Sequence, residues 1–205
     1  MHIRAVSFYT VFMTSIVGYH LKDDPEAKPE CPYEKDSFEG LLFAKCWIDT
    51  VQWHLEDIIR EPDIDPARAL ALKRRIDKLN QDRTDTVEKI DDYFAEQYKG
   101  IQIKKGARHS TESIGWAVDR LSILALKIFH VASELARIDA TASHLLQCRN
   151  RKHVLDNQCK DLIKAIDWLI LELASGKKRM KVYRQLKMYN DVEFNPVLYK
   201  KAQTA

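Results

Sequence analysis

Apolar residues recur at alternating intervals of three and four positions along most of this chain, which is the spacing of amphipathic α-helices. Five such segments are separated by clusters of proline, glycine and charged residues that interrupt the pattern. The first is predicted over residues 5–21, where phenylalanine, isoleucine and tyrosine form one stripe. Because each stripe must be buried against another, the pattern predicts an all-α, single-domain bundle of about five long helices over residues 1–205.

The second and third predicted helices meet at a turn that spans residues 61–66 and contains two prolines. The apolar stripe of the second helix covers residues 41–58, and the helix must end before the first proline, which disfavours helical geometry in its predecessor. The pair Asp65 and Pro66 predicts the start of the third helix, because aspartate caps free amides and proline is tolerated at the first helical position.

The third helix carries an arginine, Arg83, at a position that the apolar spacing assigns to the core. The polar residues Asp77 and Asn80 lie on the strip beside it. A buried guanidinium is costly unless carboxylates satisfy it, so Arg83 requires acidic partners on neighbouring helices.

The candidate partners of Arg83 can be reduced in number by comparing the position of each residue along the axis of the bundle. If the third helix folds antiparallel onto the second, a rise of 1.5 Å per residue places Asp57 too far from Arg83 for a direct pair. Asp49 and Thr50 lie nearer in level, and Asp119 of the fourth helix is an equally good partner.

The fourth and fifth helices are predicted over residues 114–138 and 145–173, and Gly176 follows the last of them. Six of the eleven residues after this glycine are basic. We define residues 176–205 as the C-terminal tail and expect it to pack on the bundle through a short continuing helix. Its charges are expected either to pair with the acidic region 56–65 or to hold a small anion.

Composition excludes several classes of protein. A chain of 205 residues that is 45% hydrophobic, with a net charge of +3, is neither disordered nor basic enough to predict nucleic-acid binding. The uncharged residues 5–19 are shorter than the roughly 20 residues of a membrane span, so we expect neither signal nor anchor. The four cysteines form no zinc-ligand spacing. We therefore expect reduced thiols, no bound metal and a cytoplasmic location.

Four stretches of the chain are similar to a bacterial family catalogued as domain of unknown function 4254. They are WIDTVQWHLEDIIR at 47–60, KRRIDKLNQDRTD at 73–85, WAVDRLSILALK at 116–127 and GKKRMKVY at 176–183. The resemblance covers nearly the whole chain and implies an all-helical bacterial protein. It implies no reaction, because the family brings no assigned activity.

Motifs of common enzyme classes are missing from the sequence. It has no glycine-rich phosphate loop, no GxSxG, no HExxH and no Glu-x-x-His pair, and it does not identify a cofactor or an oligomeric state. We therefore favour a binding or interaction module with a small anionic ligand or a protein as its partner. The alternative is a small enzyme or metabolite-binding bundle with an interior pocket for an anionic ligand. Its catalytic candidates are His54, Asp57 and Asp119, with His54 as a proton-transfer group or a metal ligand and the two aspartates to orient or coordinate. Its ligand-binding candidates are Arg83, Arg120, Asn80 and Asp77.

Overall fold

The computed structural model describes residues 4–202, and five long helices make up most of that range. Their bounds are α1 Ala5–His20, α2 Phe38–Ile58, α3 Pro66–Gln97, α4 Ile114–Leu135 and α5 Ala142–Ala174. A 3₁₀ turn, Met188–Asn190, and a short helix α6, Pro196–Ala202, follow in the C-terminal tail. The prediction of an all-α bundle is confirmed.

Each of the four helices from α2 to α5 begins at a short polar residue whose side-chain oxygen accepts a hydrogen bond from a first-turn amide. The cap residues are Ser37, Asp65, Ser113 and Thr141. Such caps satisfy amides that have no partner inside the helix. The predicted start of the third helix at Asp65 and Pro66 is confirmed, with Arg68 N donating to Asp65 Oδ2 over 2.8 Å.

The core lies where α1 contacts α2, α4 and α5, while α2 packs on α3 and α4 packs on α5. The stripe predicted for the first helix is buried, including Phe8, Phe12, Ile16 and Tyr19. The cysteines are free thiols, of which Cys31 is exposed and the other three are buried. Within residues 4–202 no helix combines the length and the apolar character needed to cross a membrane.

Two short strands join the α3–α4 connection to the C-terminal tail. Strand β1, Arg108–His109, pairs in parallel with β2, Lys178–Arg179. The tail reaches this position through Gly176, whose φ of 67° is rarely adopted by other residues. Gly176 O accepts a hydrogen bond from Lys104 N over 2.9 Å. A strand pair of two residues has no alternation to detect, so the sequence pattern predicted no strand here.

Beyond the strand the tail follows α3 in a way that differs from the sequence prediction. Residues 181–187 are not helical. Arg184 contacts Asp92 Oδ1 at 2.7 Å and Glu88 Oε2 at 3.2 Å, whereas its predicted partners lay in region 56–65. The physical reason is that β2 pairing fixes the tail in an extended conformation, which carries its charges along the acidic outer face of α3.

Candidate functional site

A network of four buried or half-buried charges joins α2, α3 and α4. Lys45 Nζ lies 2.5 Å from Asp49 Oδ2 and 2.8 Å from Asp119 Oδ1. Arg83 donates two parallel hydrogen bonds to Asp119, from Nε over 2.7 Å and from Nη2 over 2.6 Å. Ser122 Oγ donates to Asp49 Oδ2 over 2.5 Å. Two cations and two carboxylates thus balance in the interior, as buried ions require.

Burial and pairing shift the pKa values of these groups in opposite directions. Burial by itself would raise the pKa of Asp119, but the hydrogen bond from Arg83 and the charge of Lys45 outweigh burial and lower that pKa. Burial dominates at Asp49 and raises the pKa of its carboxyl despite the contact with Lys45. The hydrogen bond to Asp119 raises the pKa of Arg83, so its guanidinium stays charged.

A cleft of about 280 Å³ opens beside this network. Its lining residues come from α2 and the turn after it, from α3 and from α4: Asp49, Gln52, Trp53, Glu56, Asp57, Arg60, Arg83 and Ile123. Two buried acceptor atoms of this lining, Asp49 Oδ1 and Gln52 Oε1, have no hydrogen-bond donor. Asp49 Oδ1 lies 3.5 Å from Arg83 Nε, within range of its charge but without a hydrogen bond.

The charges around the cleft leave one carboxylate without a cation. Arg60 contacts Glu56 Oε2 at 2.6 Å, and Arg83 contacts Asp119. Asp57 is exposed on the same helix, and no ion pair of Asp57 occurs among the described residues 4–202. The cleft therefore carries an excess of negative charge and of hydrogen-bond acceptors.

Three half-buried histidines meet beside the cleft, at one end of the bundle. They are His20, His54 and His130, and one ring nitrogen of each lies within 4.8 Å of those of the other two. Their ring centroids form a nearly equilateral triangle with sides of 5.1, 5.3 and 5.4 Å. We call these three residues the histidine cluster.

Burial lowers the pKa values of two members of the histidine cluster, His54 and His130. Burial and the neighbouring imidazoles lower the pKa of His130 to about 4. Burial, followed by the charge of His20, also lowers the pKa of His54. His130 Nε2 is buried without a hydrogen-bond partner. Neutral imidazole is the form that binds metal ions and accepts protons.

The structure separates the residues that the sequence placed in one candidate site. Of the partners that the sequence left open for Arg83, the structure shows hydrogen bonds to Asp119. His54 belongs to the histidine cluster, whereas Arg120 is exposed and contacts Glu112. Their predicted roles in catalysis or binding stay predictions.

Three of the four predicted ligand-binding residues do share a second cavity, of about 410 Å³, between α3 and the C-terminal tail. They are Asp77, Asn80 and Arg83, and Lys187 lies with them. Lys187 Nζ donates to Thr84 Oγ1 over 2.8 Å, so its charge is already directed at α3. Arg120 is not part of this lining.

Sequence reasoning missed Lys45 and two of the three histidines. The sequence spacing could have indicated Lys45 as a buried charge, since it follows Leu41 by four positions and precedes Asp49 by four, on the buried face of the second helix. No sequence pattern indicates His20 or His130, because the contacts that define the cluster join residues on three different helices.

The fold and the interior define an all-α helical bundle with a charged core. The chain belongs to the family described as Protein of unknown function (DUF4254), which matches residues 39–182, and the resemblance found in the sequence is confirmed. The matched range contains the four-charge network, His54 and His130, whereas His20 precedes it. Comparisons with curated proteins and with solved structures each give no match.

Proposed function

We propose that this protein is a binding module whose cleft beside the four-charge network takes a small ligand that bears an amine. The observation that carries the proposal is the pair of buried acceptors without donors, Asp49 Oδ1 and Gln52 Oε1. A buried acceptor without a partner costs about 1–3 kcal/mol. A ligand that donates hydrogen bonds to both atoms would remove this cost on binding.

The charge of the cleft favours an amine over an anion. Asp57 adds a carboxylate without a cation, whereas Arg60 and Arg83 already contact carboxylates. The cavity beside the C-terminal tail is the alternative place for an anionic ligand, and it supports binding less well. Its cations, Arg83 and Lys187, donate to protein acceptors already, so an anion would have to compete with those bonds.

Three series of probe compounds in a thermal-shift screen, followed by calorimetric titration, test the proposal. Linear diamines such as 1,4-diaminobutane are expected to raise the melting temperature, because a ligand that binds only the folded state stabilises it. Uncharged polyols of similar size and inorganic phosphate are the other two series. A response to phosphate alone would overturn the amine assignment and support the anionic ligand.

A pair of charge-matched variants locates the binding site. Asp57→Asn removes the free carboxylate of the cleft, while Asp63→Asn removes the same charge from the exposed turn outside it. Diamine affinity is expected to fall several-fold in the first variant and to stay unchanged in the second. Equal effects of the two substitutions would show that the amine binds through overall charge and would overturn the proposed site.

A further inference from the structure

The histidine cluster has the ligand number, spacing and orientation of a metal site. His54 Nε2 lies 3.2 Å from His20 Nε2. Ligand atoms placed tetrahedrally about 2.05 Å from a zinc ion are roughly 3.3 Å apart. These two nitrogens therefore have the spacing of two ligands of one ion, and the ligand nitrogens of all three rings lie within 4.8 Å of one another.

The free lone pair of His20 is fixed by the backbone of its own helix. His20 Nδ1 lies 2.7 Å from Ile16 O, and because a carbonyl oxygen only accepts, Nδ1 carries the proton. Whenever the ring carries a single proton, its lone pair is therefore on Nε2, which faces His54. A backbone carbonyl that holds the second ring nitrogen is the usual support of a metal-binding histidine.

Each ring of the cluster also packs on at least one aromatic side chain. Tyr19 stacks on His54 with centroids 4.9 Å apart, and Trp53 stacks on His130 at 4.6 Å and 8°. Phe129 packs on His20 at 4.2 Å. Rings locked by packing keep ligand atoms in place, which binding of a metal ion requires.

The surroundings of the cluster favour positive charge at its centre. His20 is the last residue of α1, and His54 lies one turn before the end of α2. Helix C-termini carry partial negative charge. Asp23, in the loop after α1, adds a carboxylate with Oδ1 3.9 Å from His54 Nε2. His130 Nε2 is buried without a hydrogen-bond partner, so no bond to the protein has to break for it to contact an ion.

We propose that His20, His54 and His130 bind one divalent transition-metal ion, of which Zn²⁺ is the best match to three imidazole ligands. The three helices each contribute one ligand, so the ion joins α1, α2 and α4. Three protein ligands leave a fourth position of a tetrahedral ion open on the side of Asp23. This site departs from the sequence expectation of no metal, and it does not depend on the amine-binding cleft.

Zn²⁺ titration of the full-length protein, followed by calorimetry with a competing chelator, tests the proposal. The unsubstituted protein is expected to bind one equivalent. His54→Ala and His130→Ala are each expected to weaken the affinity at least tenfold. The matched control is His153→Ala, which removes an exposed histidine of α5 and should leave the affinity unchanged. No stoichiometric binding, or equal affinities in all four proteins, would overturn the metal site.

A second measurement needs no substitution and so does not depend on how the variants fold. Nitrogen-15 NMR resolves the ring nitrogens of the seven histidines in the sequence. Zn²⁺ is expected to shift the Nε2 signals of His20, His54 and His130 and to leave those of the other four unchanged. Shifts confined to the other four would contradict the proposal, and the diamine titration of the cleft would be unaffected by either result.

Discussion

Lys45 is the residue on which the charged interior depends. Its side chain is fully buried, and its ammonium contacts carboxylates of two helices, Asp49 of α2 and Asp119 of α4. An ammonium taken out of water costs several kcal/mol unless charges and hydrogen bonds compensate it. The same lysine also remains as a partner for Asp119 when Arg83 is removed, which limits the effect of changes on α3.

Replacing Arg83 by leucine is expected to lower the free energy of unfolding by about 3 kcal/mol. Breaking a buried ion pair costs about 3–5 kcal/mol, and the lower end applies here because Asp119 keeps its contact with Lys45. Urea denaturation measures the change. The matched control is Arg120→Leu, whose exposed pair with Glu112 should be worth less than about 1 kcal/mol. A loss below that value for Arg83→Leu would contradict a structural role for the pair.

The cost of Arg83→Leu is expected to shrink as the pH falls. The pKa of Asp119 is lowered in the folded protein, so its ionised form stabilises the fold above the unfolded pKa of about 3.9. This contribution is lost as the pH falls through the folded pKa. The leucine variant lacks the part of this contribution that Arg83 supplies, so the two stabilities should approach each other below about pH 4. Urea titrations at pH 7 and in that acidic range compare them, and a constant difference would count against the assignment.

Two substitutions of Asp91 measure separately how much its hydrogen bond stabilises the fold and how much its buried charge destabilises it. Its Oδ1 accepts from Gly115 N at the start of α4 over 2.6 Å, and burial raises the pKa of Asp91. A raised pKa means that ionisation weakens the fold as the pH rises through it. Asp91→Asn keeps an acceptor without the charge and is expected to be nearly neutral at pH 7. Asp91→Ala leaves the buried amide unpaired and should cost about 1–3 kcal/mol. Thermal denaturation of both variants distinguishes the contribution of the hydrogen bond from that of the charge.

At the scale of elements, the connection between α5 and the C-terminal tail depends on one glycine. Gly176 has a φ of 67°, and a Cβ there would collide with Gln102 O. Gly176→Ala is therefore expected to lower the melting temperature by at least about 2–4 °C, the shift that corresponds to 1 kcal/mol in a chain of this size. Gly100→Ala is the control, because a Cβ at that position meets nothing within 4 Å. Similar melting temperatures of the two variants would refute the strain argument.

The helices could be predicted from the sequence because their signals are local. Apolar spacing and the cap at Asp65 act within one or two turns, and the structure places the start of α3 where this signal lies. The path of the tail is set instead by β1 and by Glu88, which lie far away in the sequence. Nothing in residues 181–187 records those partners, so the periodicity there indicated a helix that does not form.

The candidate site likewise contains one part that local sequence signals predict and one part that they do not. Arg83 interrupts an apolar stripe, and this local irregularity predicted a buried carboxylate partner, which is Asp119. The histidine cluster has no local irregularity at His20 or His130, because each ring lies at the half-buried margin of its helix. Only the packing of three helices brings these rings together, and packing at this level cannot be read from one sequence.

At the scale of the whole molecule, the accessibility of the cysteine thiols measures how well the core is shielded from solvent. Burial raises the pKa of Cys46 to about 12, and Cys148 and Cys159 are also buried, whereas Cys31 is exposed. A thiol reagent at pH 8 is expected to modify one cysteine of the folded protein rapidly and the other three only when the bundle opens. Counting modified thiols over time, with and without urea, checks this. Rapid modification of more than one thiol in the native protein would show that the core is less closed than the structure indicates.

Trp53 lies between the two proposed sites, since its indole borders the cleft and stacks on His130. Emission from an indole is sensitive to a charged or metal-bound imidazole against its face and to the polarity of whatever fills the space beside it. The four tryptophans include Trp116, which borders the other cavity, and Trp168, which is exposed on α5. Replacing the three other tryptophans by phenylalanine would leave Trp53 as the single tryptophan fluorophore. Its emission intensity and wavelength would then respond both to a ligand in the cleft and to a metal ion at His130.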